Sequence, residues 1–196
     1  MLHKVLRNKK IILASASPRR KQIFEMLGLK SLCVPPQIEE LITDQKPYLQ
    51  VMHHASNKAR AVALKMDEDA LIVASDTIVF CDGKVLGKPE TRDRAIEYLR
   101  LLSGKKHIVY SAICLAIGSF MLCDYEKSLV QFANLNDQQI SYYLATKEPI
   151  DKAGAYGIQG YGSQFIEKIS GCYFNVMGFP VNLFYRMVQK IPKELL

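Results

Sequence analysis

Residues 70–83 read ALIVASDTIVFCDG. Ala70 to Ala74 is a near-continuous apolar run, the pattern of a strand buried on both faces in the middle of a sheet. The run continues through Ser75-Asp76-Thr77 into Ile78-Val79-Phe80, and Asp82-Gly83 is a hairpin turn. Asp76 lies inside this apolar segment, where a carboxylate must find cations, hydrogen bonds or water. A structural aspartate held by backbone N–H groups and a functional one read alike at this point.

The stretch 11–30, IILASASPRRKQIFEMLGLK, supplies a second strand of the same kind. Ile11 to Ala14 is a short buried strand. Ser17 then reads as an N-cap with Pro18 at the first helical position, and Gly28 as a stop. Arg19 and Arg20 fall in the first helical turn, where a cation opposes the helix dipole by about 0.3–1 kcal/mol. That placement suits an anion at the helix end, met by backbone N–H groups, the hydroxyls of Ser15 or Ser17 and two guanidinium forks. Taken alone it also suits a solvated basic turn. A signal peptide does not fit, because Ile11-Ile12-Leu13 falls far short of the roughly 7–15 apolar residues required.

Elsewhere the chain alternates strand and helix signals. Leu32-Cys33-Val34 reads as a strand ending at Pro35-Pro36, and Pro47 opens a long helix to about Met66. Thr91 and Asn136 cap two further helices, and Pro180 opens the last one. Residues 108–117 and 121–133 read as strands meeting at Gly118-Ser119, and Gln164 to Ile166 as a short strand. This order predicts an α/β fold with a mixed twisted sheet and flanking helices, one domain over residues 1–196.

Bulk composition narrows the classes. The net charge of +7 favours anionic partners without choosing among nucleotides, nucleic acid or acidic surfaces. The 5 cysteines form no CxxC pair, and the 4 histidines have no carboxylate or cysteine at ligand spacing. We therefore expect a reducing, cytoplasmic setting with neither a disulfide framework nor a zinc site. No apolar run approaches the roughly 18 residues of a membrane span. The strand-like segments are largely apolar, which argues against a basic, aromatic nucleic-acid platform.

Three loops and the long helix carry polar groups worth weighing. Lys58 lies on the long helix and Lys88 in VLGKPE, each readable as a solvated cation. Glu39-Glu40 follow Pro35-Pro36 and read as surface charge or as holders of a hydrated Mg²⁺. In AYGIQGYG, residues 155–162, Gln159 is flanked by glycines that permit close backbone approach. Its amide offers both a donor and an acceptor, matching the mixed edge of uracil or thymine. A mobile hairpin tip would read the same way.

In combination, IILASASPRR, Lys58-Ala59, VASDT, LGKP, Leu102–Gly104, DKAGAYGIQG and NVMGFPV resemble the Maf family, in the family's order and along nearly the whole chain. The resemblance implies a fold similar to the Ham1-type inosine triphosphate pyrophosphatases, with two lobes around a central nucleotide cleft. It implies hydrolysis of a nucleoside triphosphate to the monophosphate and pyrophosphate, with a divalent cation (Mg or Mn). Asp76 matches the family's catalytic base. Arg19, Thr77 and Gln159 match positions that set substrate choice, and Arg20, Glu40, Lys58 and Lys88 match substrate- or metal-facing positions. Whether Asp76 acts as base or as metal ligand beside Glu40 stays open.

The SPRR, SDT and IQG motifs are those of the dTTP/UTP branch. The alternatives are a pyrophosphatase for 7-methyl-GTP or another modified nucleotide, and a nucleic-acid-binding regulator, since the family is associated with septum formation and cell-division arrest. The family also implies a homodimer. Two departures stand outside the core constellation: His53-His54-Ala55 replaces the usual Arg-Leu-Ala, with the loss of an arginine that could contact phosphate, and Phe174 stands where a serine is common.

Overall fold

A computed structural model gives the fold, describing residues 1–39, 41 and 43–196; Glu40 and Ile42 lie outside the described residues. The chain divides into two compact units, one of residues 1–76, 111–126 and 178–196, the other of residues 77–110 and 127–177.

The first unit begins with a short helix, α1 (Leu2–Val5), and strand β1 (Ile11–Ala14). Helix α2 (Pro18–Met26) and strand β2 (Leu32–Cys33) follow, then the long helix α3 (Pro47–Ala63). β3 (Leu71–Cys81) is the long strand expected from its apolar run. β1 pairs in parallel with β2 on one side and with β3 on the other, Ala14 standing opposite Ala74. All four β1 residues are buried, as a strand covered on both faces requires. The last helix, α7 (Val181–Val188), starts after Pro180. Phe24 of α2 packs its ring 5.2 Å from Phe179 and 5.7 Å from Phe184 of α7, and all three are fully buried.

The second unit takes up β3 after Asp76. Asp82 and Gly83 both have positive φ, 47° and 76°, as the two central residues of a primed hairpin turn require. They return the chain into β4 (Lys84–Leu86), antiparallel to β3. Helix α4 (Arg92–Leu102) is capped by the Thr91 hydroxyl, which accepts from the Arg94 amide at 3.2 Å. β5 (Lys106–Ile117) and β6 (Phe120–Phe132) are joined by the Gly118-Ser119 turn, and residues 111–126 of this hairpin belong to the first unit. Helix α5 (Asp137–Ala145) opens with a full capping box between Asn136 and Gln139. β7 (Ile166–Ser170) pairs antiparallel with β6, and α6 (Tyr173–Met177) follows. The strand order β2-β1-β3-β5-β6-β7, with β4 on β3, makes one mixed sheet, and the expected α/β class holds.

Two expectations require correction. The short strand placed at Gln164–Ile166 lies further on, at Ile166–Ser170, because residues 161–165 are wound into a 3₁₀ turn. The expectation of no disulfide also fails, since Cys114 and Cys123 are bonded, with Cα atoms 4.1 Å apart. Cys114 stands four positions before Gly118 and Cys123 four after Ser119, so the tight hairpin sets them opposite one another. Cys33, Cys81 and Cys172 are free thiols. No helix among the described residues is long and apolar enough to cross a membrane.

The second unit's core holds a buried imidazole. His107 is 1% exposed, lies 2.8 Å from the Tyr156 hydroxyl through Nε2, and sits edge-on to Phe132. Its Nδ1 has no hydrogen-bond partner. Burial pushes its pKa from 6.5 down to about 4. The folded chain therefore keeps this ring neutral where the unfolded chain would protonate it, and the stability it lends is lost as pH falls from about 6.5 toward 4. Urea melts should show roughly 2 kcal/mol less stability at about pH 5 than at about pH 7 from this group, a difference abolished in a folded His107→Phe variant.

Candidate active site

Asp76 is 3% exposed at the middle of β3. The long helix α3 turns one polar face toward it. Lys58 Nζ lies 2.6 Å from Oδ1, and His54 Nδ1 lies 3.1 Å from Oδ2. Both partners are themselves buried, at 5% and 7% exposure. Burial alone would raise the aspartate's pKa, but the charges and hydrogen bonds of Lys58 and His54 outweigh it and hold the carboxyl below the ordinary range. The strand thus carries a carboxylate kept ionised in the protein interior. Ser75, the residue before, donates to the Gly178 carbonyl at 3.1 Å.

That carbonyl is shared. Arg20 Nε donates to it at 2.9 Å, and Arg20 Nη1 donates to Ser15 Oγ at 3.3 Å. Ser15 Oγ also accepts from the Ser17 amide at 3.1 Å. Ser17 occupies the expected cap position of α2, but its side chain makes no capping bond. The first turn of α2 holds no acidic residue, and Arg19 and Arg20 are half-buried there. Ser15, Ser17, Arg19, Arg20, Lys58 and Asp76 all belong to the first unit.

Thr77, Lys88 and Gln159 belong to the second unit. Thr77 is half-buried on β3, Lys88 is exposed, and Gln159 is exposed on a turn. The segments bearing Lys88 and Gln159 are tied by a backbone bond of 3.0 Å from the Gly154 amide to the Gly87 carbonyl. Glu40 lies outside the described residues.

Two groups escaped sequence reading. His54 was visible only as a departure from a motif. Glu148 belongs to none of the motifs in the sequence, yet its carboxylate organises the turn that carries Gln159. It accepts from the Tyr143 hydroxyl at 2.9 Å and from the amides of Tyr161 at 2.9 Å and Gly162 at 3.2 Å. The loop wraps so closely that a Cβ on Gly160 would displace the Glu148 carboxylate from its donors. Burial first, and then the Glu148 charge, push the Tyr143 phenol above its ordinary pKa, so it stays a donor. Glu148→Ala should cost about 1–3 kcal/mol in a urea melt, because buried donors lose their acceptor. It should also lower kcat/KM for a nucleotide whose base meets Gln159.

A family model described as Maf-like protein matches residues 10–191. The chain belongs to the Maf family. This Maf protein is 41% identical over 194 residues to the dTTP/UTP pyrophosphatase of Caldicellulosiruptor saccharolyticus, covering 96% of this chain and 98% of that one. It is 43% identical over 195 residues to the protein of the same name from Caldicellulosiruptor bescii, with the same coverage. It is 44% identical over 181 residues to that of Syntrophomonas wolfei, covering 91% and 95%. Among solved structures, the Ham1 protein of Staphylococcus aureus superposes with a TM-score of 0.51 at 12% identity, covering 92% of this chain and 98% of that one, which supports the shared fold.

Proposed function

We propose that this Maf protein hydrolyses dTTP and UTP to the nucleoside monophosphate and pyrophosphate, residues 1–196 acting as one domain, as a homodimer in the cytoplasm. The observation that carries the reading is Asp76, a buried carboxylate held ionised by Lys58 in a chain over 40% identical to dTTP/UTP pyrophosphatases.

Metal dependence belongs to the same proposal. No cluster of three or more metal-binding side chains occurs among the described residues. Mg²⁺ needs only one or two carboxylates when substrate phosphates and water complete its shell. Asp76 fits that need, with Glu40 as the second candidate. Bound there, the cation would neutralise charge on the triphosphate oxygens.

The chain's own groups do the rest. Asp76 orients the attacking water at the α-phosphorus. A carboxyl held below its usual range is a weak proton acceptor, which favours orientation and cation binding over a strong general-base role. Arg19 at the start of α2 and Lys88 in the GKP loop meet the departing pyrophosphate, supported by the hydroxyls of Ser15 and Ser17. Arg20 and Lys58 hold the Gly178 carbonyl and Asp76 in place. Thr77, next to Asp76, and Gln159 select the pyrimidine base.

Product analysis tests the reaction class. UTP with Mg²⁺ or Mn²⁺ should give UMP and pyrophosphate in equal amounts. UDP with orthophosphate would place cleavage at the wrong bond and overturn the proposal.

A further inference from the structure

Helix α3 carries three buried polar side chains at four-residue spacing, Gln50, His54 and Lys58. They form one stripe with two tasks. Gln50 Oε1 accepts from the Thr43 amide at 3.1 Å and faces the Thr43 hydroxyl at 3.4 Å. Lys58 holds Asp76 Oδ1. His54, between them, shares the carboxylate with Lys58 and meets a different backbone group from Gln50: Nδ1 lies 3.1 Å from Asp76 Oδ2, and Nε2 lies 2.9 Å from the Leu41 carbonyl.

Both of these partners are acceptors: an N–H at Nδ1 donates to Asp76 Oδ2, and only a ring protonated at both nitrogens donates to the Leu41 carbonyl as well. The terminal torsion of an aspartate is broad, and one hydrogen bond to one oxygen leaves the carboxylate plane free to swing. A second donor on the other oxygen fixes that plane. The remaining lone pairs of Oδ1 and Oδ2 then point in set directions.

We infer that His54 is a positioning residue for the proposed reaction, a strut from the Leu41 backbone that sets the plane of the Asp76 carboxylate. The inference rests on the reading that Asp76 is the catalytic carboxylate. An apolar side chain could fill the space beside α3, but it could neither donate to the carboxylate nor transmit the position of the chain at Leu41. Misplacing a reacting group by about 1 Å commonly lowers rate about 10²-fold. The defect belongs in kcat rather than KM, because His54 would not touch the nucleotide.

Four folded variants separate the outcomes, each assayed for UTP turnover and for thermal midpoint. His54→Leu removes both ring nitrogens and should lower kcat about 10–100-fold with KM for UTP within about threefold. His54→Asn places an amide near the position of Nδ1 and should recover most of that loss. His54→Gln places its amide near Nε2, reaches Leu41 rather than Asp76, and should stay nearly as impaired as His54→Leu. Asp76→Asn is the control. If Asp76→Asn turns over normally, the reading of Asp76 falls and this inference with it. If Asp76→Asn is inactive while His54→Leu keeps wild-type kcat, only the positioning role is overturned. Should His54→Leu fail to fold, the other pair decides: equal kcat for His54→Asn and His54→Gln contradicts the inference, and a higher kcat for His54→Asn supports it.

Discussion

Replacing Asp76 by asparagine should lower UTP turnover about 10²-fold or more, because the carboxylate that orients the attacking water loses its charge and its second acceptor oxygen. The amide keeps the shape of the side chain but removes its charge. Affinity for UTP should change little, since the arginines of α2 and Lys88 are untouched. The same substitution also strips a buried partner from Lys58, which lies 2.6 Å away and is 5% exposed. Breaking a buried pair on one side typically costs about 3–5 kcal/mol, so the thermal midpoint should fall as well. Turnover must therefore be measured well below the variant's midpoint. The double variant Asp76→Asn/Lys58→Met should regain stability without regaining activity. If Asp76→Asn, folded, keeps more than about a tenth of wild-type kcat, the assigned role is wrong.

Gln159→Glu should lower kcat/KM for UTP and dTTP by roughly 2–4 kcal/mol, the scale set by leaving a specific hydrogen-bonding edge unpaired. A carboxylate accepts from the N3–H of uracil but cannot donate to the adjacent carbonyl, and it faces that oxygen with negative charge. Folding should be spared. Gln159 is exposed on a turn, and a surface substitution of this kind usually shifts stability by less than about 0.5 kcal/mol. Loss of stability with activity intact would mean that the amide shapes the loop and does not read the base.

The fold was legible wherever a local signal decided it. β3 follows from an unbroken apolar run, the Asp82-Gly83 turn from the two residues that tolerate positive φ, and the starts of α4 and α5 from the hydroxyl of Thr91 and the amide of Asn136. Asp76 stood out because a carboxylate in such a strand demands an explanation. Its partners did not, because the approach of α3 to β3 is a tertiary fact. The apolar spacing of α3 was clear, whereas Gln50, His54 and Lys58 look solvated until the helix is packed. Glu148 was hidden for the same reason. Its three donors come from Tyr143 and from a loop more than ten residues downstream, and the 3₁₀ turn that it holds displaced the expected strand to β7. The Cys114–Cys123 bond was within reach, since the register of a hairpin turning on Gly118-Ser119 fixes it.

Pyrophosphate release from a panel of nucleotides tests the central claim most directly. UTP, dTTP, CTP, GTP, ATP and 7-methyl-GTP should be compared with Mg²⁺ and with Mn²⁺. The account predicts the highest kcat/KM for UTP and dTTP, with guanine nucleotides lower by at least about tenfold, because the Gln159 amide pairs with a 2,4-dione and leaves a guanine edge unsatisfied. A preference for 7-methyl-GTP over UTP, or no pyrophosphate from any of them, would contradict it.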